Sequence, residues 1–318
     1  MRLLVTGGAG FIGSHLVRAA LEEGWEVTVL DLLTYAGNRA NLPPPGPRWS
    51  FVRGDVRDGE ALRRLLPGHE AVVHCAAESH VDRSIAGATE FTSTNVLGTH
   101  TVLEAARRAG VGPLVVVSTD EVYGSIAEGA WDEEQPLRPN SPYAASKAGA
   151  DLVALAYHRT HGTDVRITRC ANNYGPRQHP EKLIPHFVTR LLTGGRVPLY
   201  GEGANVREWL HVEDHCRALL SVLADGSPGG VYNIGGGTEL TNREMTGRLL
   251  RLCGADWDRV DRVPDRAGHD LRYALDDGRI RRELGYAPQV PFEDGLAATV
   301  EWYRANPSWW EPAVRAAG

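Results

Sequence analysis

Lysine is nearly missing from this chain: of its 34 basic residues only Lys147 and Lys182 are lysines, and arginine takes every other position. Wherever a diffuse positive charge suffices the sequence places arginine, so each lysine marks a position that calls for a compact, rotatable ammonium rather than a planar fork. The plainer account, a general arginine bias with two survivors, explains the numbers but not the locations. Cysteine is also scarce. Cys75, Cys170, Cys216 and Cys253 lie far apart, which excludes zinc-site spacing and a disulfide framework and points to a reduced, cytoplasmic protein. No apolar run reaches membrane-spanning length, and the opening Met-Arg-Leu-Leu-Val does not read as a signal peptide. No histidine and acid cluster has ligand spacing, so no metal is expected. Excess positive charge is absent as well: the net charge of −6 argues against a nucleic-acid or anionic-membrane partner.

What is present is a rhythm. At 318 residues the chain exceeds the size of one growing core, so a nucleotide-type domain with a smaller lobe is expected. The first half alternates Val/Leu-rich runs (3–6, 26–30, 71–76, 114–118) with helical stretches at 14–23 and 95–108. Uninterrupted apolar strands between helices imply a parallel sheet covered on both faces, a doubly wound Rossmann-type α/β fold. Beyond Asn172 the rhythm breaks, although 212–224 reads as a helix and 231–234 as a strand returning to the first domain. The expected division is residues 1–171, with returning segments at about 212–240, for the Rossmann domain. Residues 172–211 and 241–318 then form a mixed α/β substrate lobe.

The first strand runs into Thr6-Gly-Gly-Ala-Gly-Phe-Ile-Gly13 and then a helix. Glycines at 7, 10 and 13 meet the need for a tight turn whose backbone approaches a pyrophosphate at a helix N-terminus. Phe11 and Ile12 belong to the same candidate cofactor loop. Asp31 follows 18 residues beyond Gly13, at the end of the second strand. A carboxylate there bonds ribose hydroxyls and repels a 2′-phosphate, which favours NAD over NADP. Asp55 and Val56 are placed against the adenine, with an ordinary turn as the alternative.

Ser141-Pro142 starts a helix that ends before Gly162. Tyr143 and Lys147 therefore stand one turn apart on one face. A phenol of pKa about 10 is lowered by roughly 1 to 3 units by an adjacent cation, so the pair is expected to make a usable base. Thr119, Asp120 and Glu121 emerge at the carboxyl end of the buried run 114–117, where ligands sit in open α/β sheets. Two adjacent acids there suit one acid and one base whose environments separate their pKa values. A solvated turn is the bland alternative.

Glycine loop plus Tyr-x-x-x-Lys resembles the extended short-chain dehydrogenase/reductase family. The Thr119-Asp120-Glu121 triplet is similar to that of its nucleotide-sugar 4,6-dehydratases, above all those acting on dTDP-glucose. The likeness extends over Leu33–Asn38, Ala76–Ile85, Asn172–Pro176, Pro180–Pro185 and Arg266–Tyr273. It implies that Tyr143 takes the proton of the sugar 4-hydroxyl, positioned by Thr119, while hydride passes to NAD. Glu121 then removes the C5 proton, Asp120 protonates the leaving 6-hydroxyl, hydride returns to C6 and C5 is reprotonated, so that NAD stays tightly bound. Lys147 would also bond the nicotinamide ribose, and Ala76 would touch the cofactor. Ser79, Asn172, Lys182, Arg207, Asn242, Arg266 and His269 would hold the nucleotide-diphospho-sugar, with Leu183, Pro198 and Tyr200 as apolar walls.

A homodimer is implied through helices 95–108 and 142–159. Arg177 departs from the pattern, standing where an aromatic is expected, and is a candidate to alter sugar or phosphate contacts. His74 and His80 read equally as core or functional residues, and Trp309-Trp310 as packing. Two other readings stay open. A 4-epimerase or decarboxylase of the same fold would use Tyr143 and Lys147 without the acid pair, and a noncatalytic NAD-binding regulator would keep only the glycine loop.

Overall fold

The structure, a computed structural model, describes residues 1–265 and 268–317. Its large sheet has seven strands: β1 (Arg2–Thr6), β2 (Glu26–Asp31), β3 (Trp49–Arg53), β4 (Ala71–His74), β5 (Leu114–Thr119), β6 (Val165–Cys170) and β10 (Val231–Ile234). They run in the order β10-β6-β5-β4-β1-β2-β3, and every pairing is parallel. The period of two sorts side chains between the faces. Leu3, Val5, Val29, Val73 and Val115 pack on one side against Leu16, Leu219 and Val222. Leu4, Leu30, Val72, Leu114 and Val116 pack on the other against Val102, Leu103 and Ala154. Both faces are covered, which is why the central strands β4 and β5 carry no polar residue before their carboxyl ends.

A second core gathers Tyr174, Phe187, Val188, Trp209, Met245, Leu249, Leu296 and Tyr303. It includes two small sheets. In the first, β11 (Thr238–Thr241) and β7 (Asn172–Tyr174) flank β9 (Val206–His211); the second pairs β8 (Val197–Tyr200) with β12 (Val260–Val263). The strand at 231–234 forms at the edge of the large sheet, registered so that Val231 lies opposite Ile167. The helix preceding it spans Val212–Asp225.

Two helices differ from expectation at their starts. The first begins at Phe11 rather than residue 14, because Gly10 is extended (φ −77°, ψ −178°) as its N-cap; the glycine loop therefore abuts a helix N-terminus directly. The stretch expected as one helix from Asn95 opens as a π-helical segment, Thr92–Leu97, and becomes α-helical over Gly98–Ala109. Asn95 is buried there. Its Nδ2 donates to the Glu78 carbonyl (2.9 Å) and Ser146 Oγ (2.8 Å), and its Oδ1 accepts from Glu78 N–H (2.9 Å). Wide turns of this kind recur where a helix carries a polar group into a site. The helix Pro142–His161 is capped as its sequence specifies: Ser141 Oγ accepts from Ala144 N–H (3.1 Å), and Gly162 is left-handed at φ 66°. Among the described residues no helix is long and apolar enough to cross a membrane.

Candidate active site

A groove runs along the carboxyl ends of β1, β2, β4 and β5. Gly7 has φ +67°, and a Cβ there would lie 2.6 Å from the Ala76 backbone nitrogen; a Cβ on Gly13 would lie 2.3 Å from the Gly7 carbonyl oxygen. Glycine at these two places lets the first helix and the β4 exit close upon the loop. Gly7, Gly10, Phe11, Ile12 and Gly13 line the groove with Asp31, Asp55, Val56 and Ala76, and so do Tyr143 and Lys147. Asp31 accepts from Ala9 N–H (2.9 Å) and Leu33 N–H (2.7 Å). Burial raises its pKa while these two bonds oppose the shift. Asp55 grips Arg57 (2.6 Å), whose guanidinium holds its carboxyl below the usual range. A cradle of glycine backbone with an acid at the second strand fits a dinucleotide of the NAD type.

At the end of β5 the chain tightens into a 3-10 turn, Asp120–Tyr123. Thr119 Oγ1 donates to Asp120 Oδ1 (3.1 Å) and accepts from Glu121 N–H (3.3 Å). Asp120 is 3% exposed, and its Oδ2 makes no hydrogen bond among the described residues. Burial first, and then the charge of Glu121, push its pKa well above the ordinary carboxylate value. Asp120 therefore holds a proton where a surface aspartate would not. Glu121, next in sequence, is half-buried and faces both the groove and the neighbouring cavity. The two acids occupy different environments, the condition for an acid and a base side by side.

Tyr143 departs from expectation. Its pKa is pushed well above 10, by burial first and then by the charge of Glu121, and a hydrogen bond with Thr119 only partly opposes this. Lys147, 5% exposed, directs Nζ to the Val117 carbonyl (2.7 Å). Its own pKa is lowered by burial, with Asp151 opposing. One ammonium beside two carboxylates in a desolvated site does not lower the phenol, because burial penalises the phenolate and the acids repel it. Easing the Tyr143 proton off requires positive charge beyond Lys147.

The second cavity opens from the first across Glu121, Asn172 and Lys182, which line both. Leu183, Pro198, Tyr200, Arg207, Asn242 and His269 line its walls, while Ser79 and Thr119 line the groove side. Lys182 Nζ donates to the Ser79 carbonyl (2.6 Å), joining two segments 103 residues apart. Arg207 is buried, donates to the Asp270 carbonyl (3.0 Å) and stacks its guanidinium 4.4 Å from the Tyr273 ring centroid. The Oδ1 atoms of Asn172 and Asn242 are buried and make no hydrogen bond among the described residues, leaving amide oxygens for a polar ligand. His269 Nδ1 pairs with Asp265 (2.6 Å). Arg266 lies outside the described residues.

The expected set omits several lining residues. Arg83, His179 and Glu181 are among them and meet Tyr35 behind the wall: the Arg83 guanidinium lies 3.9 Å from the Tyr35 ring centroid and 3.3 Å from Glu181 Oε2, and His179 packs edge-on to Tyr35 at 5.5 Å. All but His179 sit inside segments 33–38, 76–85 and 180–185, so the segments were visible in the sequence and the individual contacts were not. Arg177 lies outside both linings; its guanidinium stands 5.4 Å from the Trp302 ring centroid. His74 is a core residue, between Thr6 Oγ1 (2.7 Å) and Thr99 Oγ1 (3.1 Å), its pKa lowered to about 3 by burial. His80 caps the helix Val81–Ala86 and lines the second cavity.

The chain matches the family model described as GDP-mannose 4,6 dehydratase over residues 4–299. It is 60% identical over 320 aligned residues to a dTDP-glucose 4,6-dehydratase of Streptomyces niveus, covering 98% of this chain and 95% of that protein. Among solved structures it is similar to DesIV, a dTDP-glucose 4,6-dehydratase from Streptomyces venezuelae crystallised with NAD bound. That likeness has 68% identity and a TM-score of 0.97, over 98% of this chain and all of that one. The corresponding enzyme of Bacillus anthracis, in complex with NAD, shares 46% identity at a TM-score of 0.92, over 98% of this chain and 99% of that one.

Proposed function

The chain belongs to the GDP-mannose 4,6 dehydratase family, and we propose that it is an NAD-dependent hydro-lyase converting dTDP-glucose to dTDP-4-keto-6-deoxyglucose in deoxysugar biosynthesis. The carrying observation is the pair Asp120 and Glu121, adjacent in sequence and unlike in environment, beside Tyr143 where groove meets cavity. A 4-epimerase of the same fold has no use for two acids there. NAD, which the glycine loop, Asp31, Tyr143 and Lys147 would hold, would supply positive charge and a reversible hydride acceptor.

The chain's own groups do the proton work. Tyr143 takes the 4-hydroxyl proton, with Thr119 orienting that hydroxyl. The 4-ketone acidifies the C5 hydrogen, and Glu121 removes it. Asp120, whose pKa is raised by burial and by the charge of Glu121, gives its proton to the departing 6-hydroxyl, which leaves as water, and C5 is reprotonated as hydride returns to C6. Groups in these roles contribute typically 10²- to 10⁴-fold each. In the cavity, Arg207 and Lys182 are assigned the diphosphate, since fixed cations suit it; the resemblance adds Arg266, which lies outside the described residues. Asn172, Asn242, Ser79 and His269 hold ribose, base and sugar, with Leu183, Pro198 and Tyr200 as walls. Lys147 holds the nicotinamide ribose and Asp31 the adenine ribose.

Residues 1–171 with 212–240 form the NAD-binding unit in this reading, and 172–211 with 241–318 mainly the substrate lobe. Two such chains pair through the helices around 92–109 and 142–161, where Leu97 and Leu152 are 51% and 59% exposed; light scattering checks this. Cytoplasmic placement suits its four free cysteines. Incubating the protein with dTDP-glucose and, separately, with UDP- and GDP-sugars tests the reaction. A 4-keto-6-deoxy product with its alkaline chromophore is expected from dTDP-glucose, and a 4-epimer without loss of water would sink the assignment.

A further inference from the structure

The C-terminal helix Pro307–Ala317 lines the second cavity with Ala313 and Val314 and reaches the glycine loop through Asn41. It is anchored by Trp310, 4% exposed, whose indole N–H donates to the Tyr303 carbonyl (2.8 Å). Its neighbour Trp309 packs edge-on to Trp302 at 5.0 Å, and its indole N–H reaches across 268 residues of sequence to Asn41 Oδ1 (2.8 Å). Asn41 is 1% exposed. Its Nδ2 donates to the Ala9 carbonyl (2.9 Å), and its own carbonyl accepts from Arg18 (2.8 Å). Ala9 sits within the glycine loop, and both of its backbone polar groups are committed: the N–H to Asp31 Oδ2 (2.9 Å), the carbonyl to Asn41 and also to Asn38 N–H (3.0 Å). One turn beyond Trp309, Ala313 and Val314 form part of the wall of the nucleotide-sugar cavity, with His186 and Arg190.

We propose that Trp309, acting through Asn41, is a positioning residue for the glycine loop, and that the C-terminal helix thereby links the geometry of that loop to the wall of the nucleotide-sugar cavity. A loop that grips an anion with backbone N–H groups works only while those groups are held in place. Ala9 is where this loop is held, by Asp31 from one side and by Asn41 from the other. An indole ring wedged against Trp302 and fixed through Trp310 gives Asn41 a rigid partner, so its amide keeps one orientation. Because the same helix walls the second cavity, a ligand seated there steadies the helix and, through it, the loop; by linkage the effect is reciprocal. The inference rests on the reading of this loop as the NAD site.

Trp309→Phe keeps the ring packing and deletes the N–H donor. The protein is purified with its NAD, and release of NAD is followed by dilution or gel filtration, with and without thymidine diphosphate, beside thermal unfolding. Losing one buried hydrogen bond predicts NAD release from Trp309→Phe roughly 5-fold faster than from the parent. Thymidine diphosphate is expected to slow release from the parent and to do so less in the variant. A purely structural role would lower the melting temperature and leave both NAD measurements unchanged. Should Trp309→Phe fail to fold, Asn41→Ala cuts the link from the other side and is expected to give the same pattern. Unchanged release and an unchanged thymidine diphosphate effect in a folded variant overturn the proposal. A parent that retains no NAD sinks the functional reading, and this inference with it, whereas a parent that holds NAD beside an unaltered variant sinks only the inference.

Discussion

The glycine-lined groove and the second cavity share Glu121, Asn172, His179, Glu181 and Lys182, yet they are assembled in opposite ways. The groove is made where parallel strands end, and each strand brings its own turn: the glycines after β1, Asp31 closing β2, Ala76 after β4, and the Thr119–Glu121 turn after β5. The cavity draws on segments scattered from His80 to Val314, several of which match by resemblance but none of which is set by a local strand-turn-helix rule. The lysines repeat the contrast. Lys147 lies one helical turn from Tyr143 and reaches the Val117 carbonyl of the adjacent strand; Lys182 reaches Ser79, 103 residues away. In the proposed function chemistry falls on rigid strand ends and recognition on joined loops, which is the division that precise positioning of reacting groups favours.

The largest test of that division falls on the chemistry. Tyr143→Phe is expected to lower kcat by roughly 10²- to 10⁴-fold with bound NAD retained. A rate within tenfold of the parent would remove Tyr143 as the base. Next comes the acid pair: Asp120→Asn with Glu121→Gln should lower dehydration by a comparable factor while the sugar still reduces the bound cofactor, read from its absorbance. Full dehydration in the double variant would end the acid-base assignment.

Asp120 also links chemistry to stability. Its folded pKa is raised by burial, so the folded protein binds that proton more tightly than the unfolded chain. The stability it contributes is complete below the ordinary carboxylate range and is lost as pH rises through the raised value. Asp120→Asn should therefore melt higher than the parent at neutral pH, by a margin that widens as pH increases through that window. A gap that stays flat with pH would show that the carboxyl is not protonated in the fold.

The two lysines give a smaller and sharper contrast. Lys147→Arg is expected to reduce kcat/KM by on the order of 10²-fold, because a bulky fork displaces groups around the reacting carbon; Lys182→Arg should act mainly on KM and by less than about tenfold. Equal losses would erase the contrast between groove and cavity. Smallest of all, Arg177→Phe should change stability by roughly 1 to 2 kcal/mol, the scale of one half-buried cation-π contact, and leave KM unaltered, since Arg177 rests on Trp302 rather than in the cavity. A KM shift would return it to the site.

Much of this could be read along the chain because its signals are local. Strand, glycine turn and helix in sequence specify a pyrophosphate cradle; Ser141-Pro142 and Gly162 bound the helix that puts Tyr143 and Lys147 on one face; a run of buried valines ends where Asp120 and Glu121 must emerge. Periodicity and capping act over a few residues, so a few residues reveal them. The electrostatics were not legible in that way. The Tyr143 phenol is raised rather than lowered because burial and the two acids outweigh one ammonium, and burial is a property of everything folded around a group. Nor does any periodicity announce the π-helical turn that places Asn95 against Glu78 and Ser146, the meeting of Tyr35, Arg83 and Glu181, or the indole of Trp309 on Asn41. Such contacts join residues far apart in sequence, and they exist only once two cores have packed and set the distance between them.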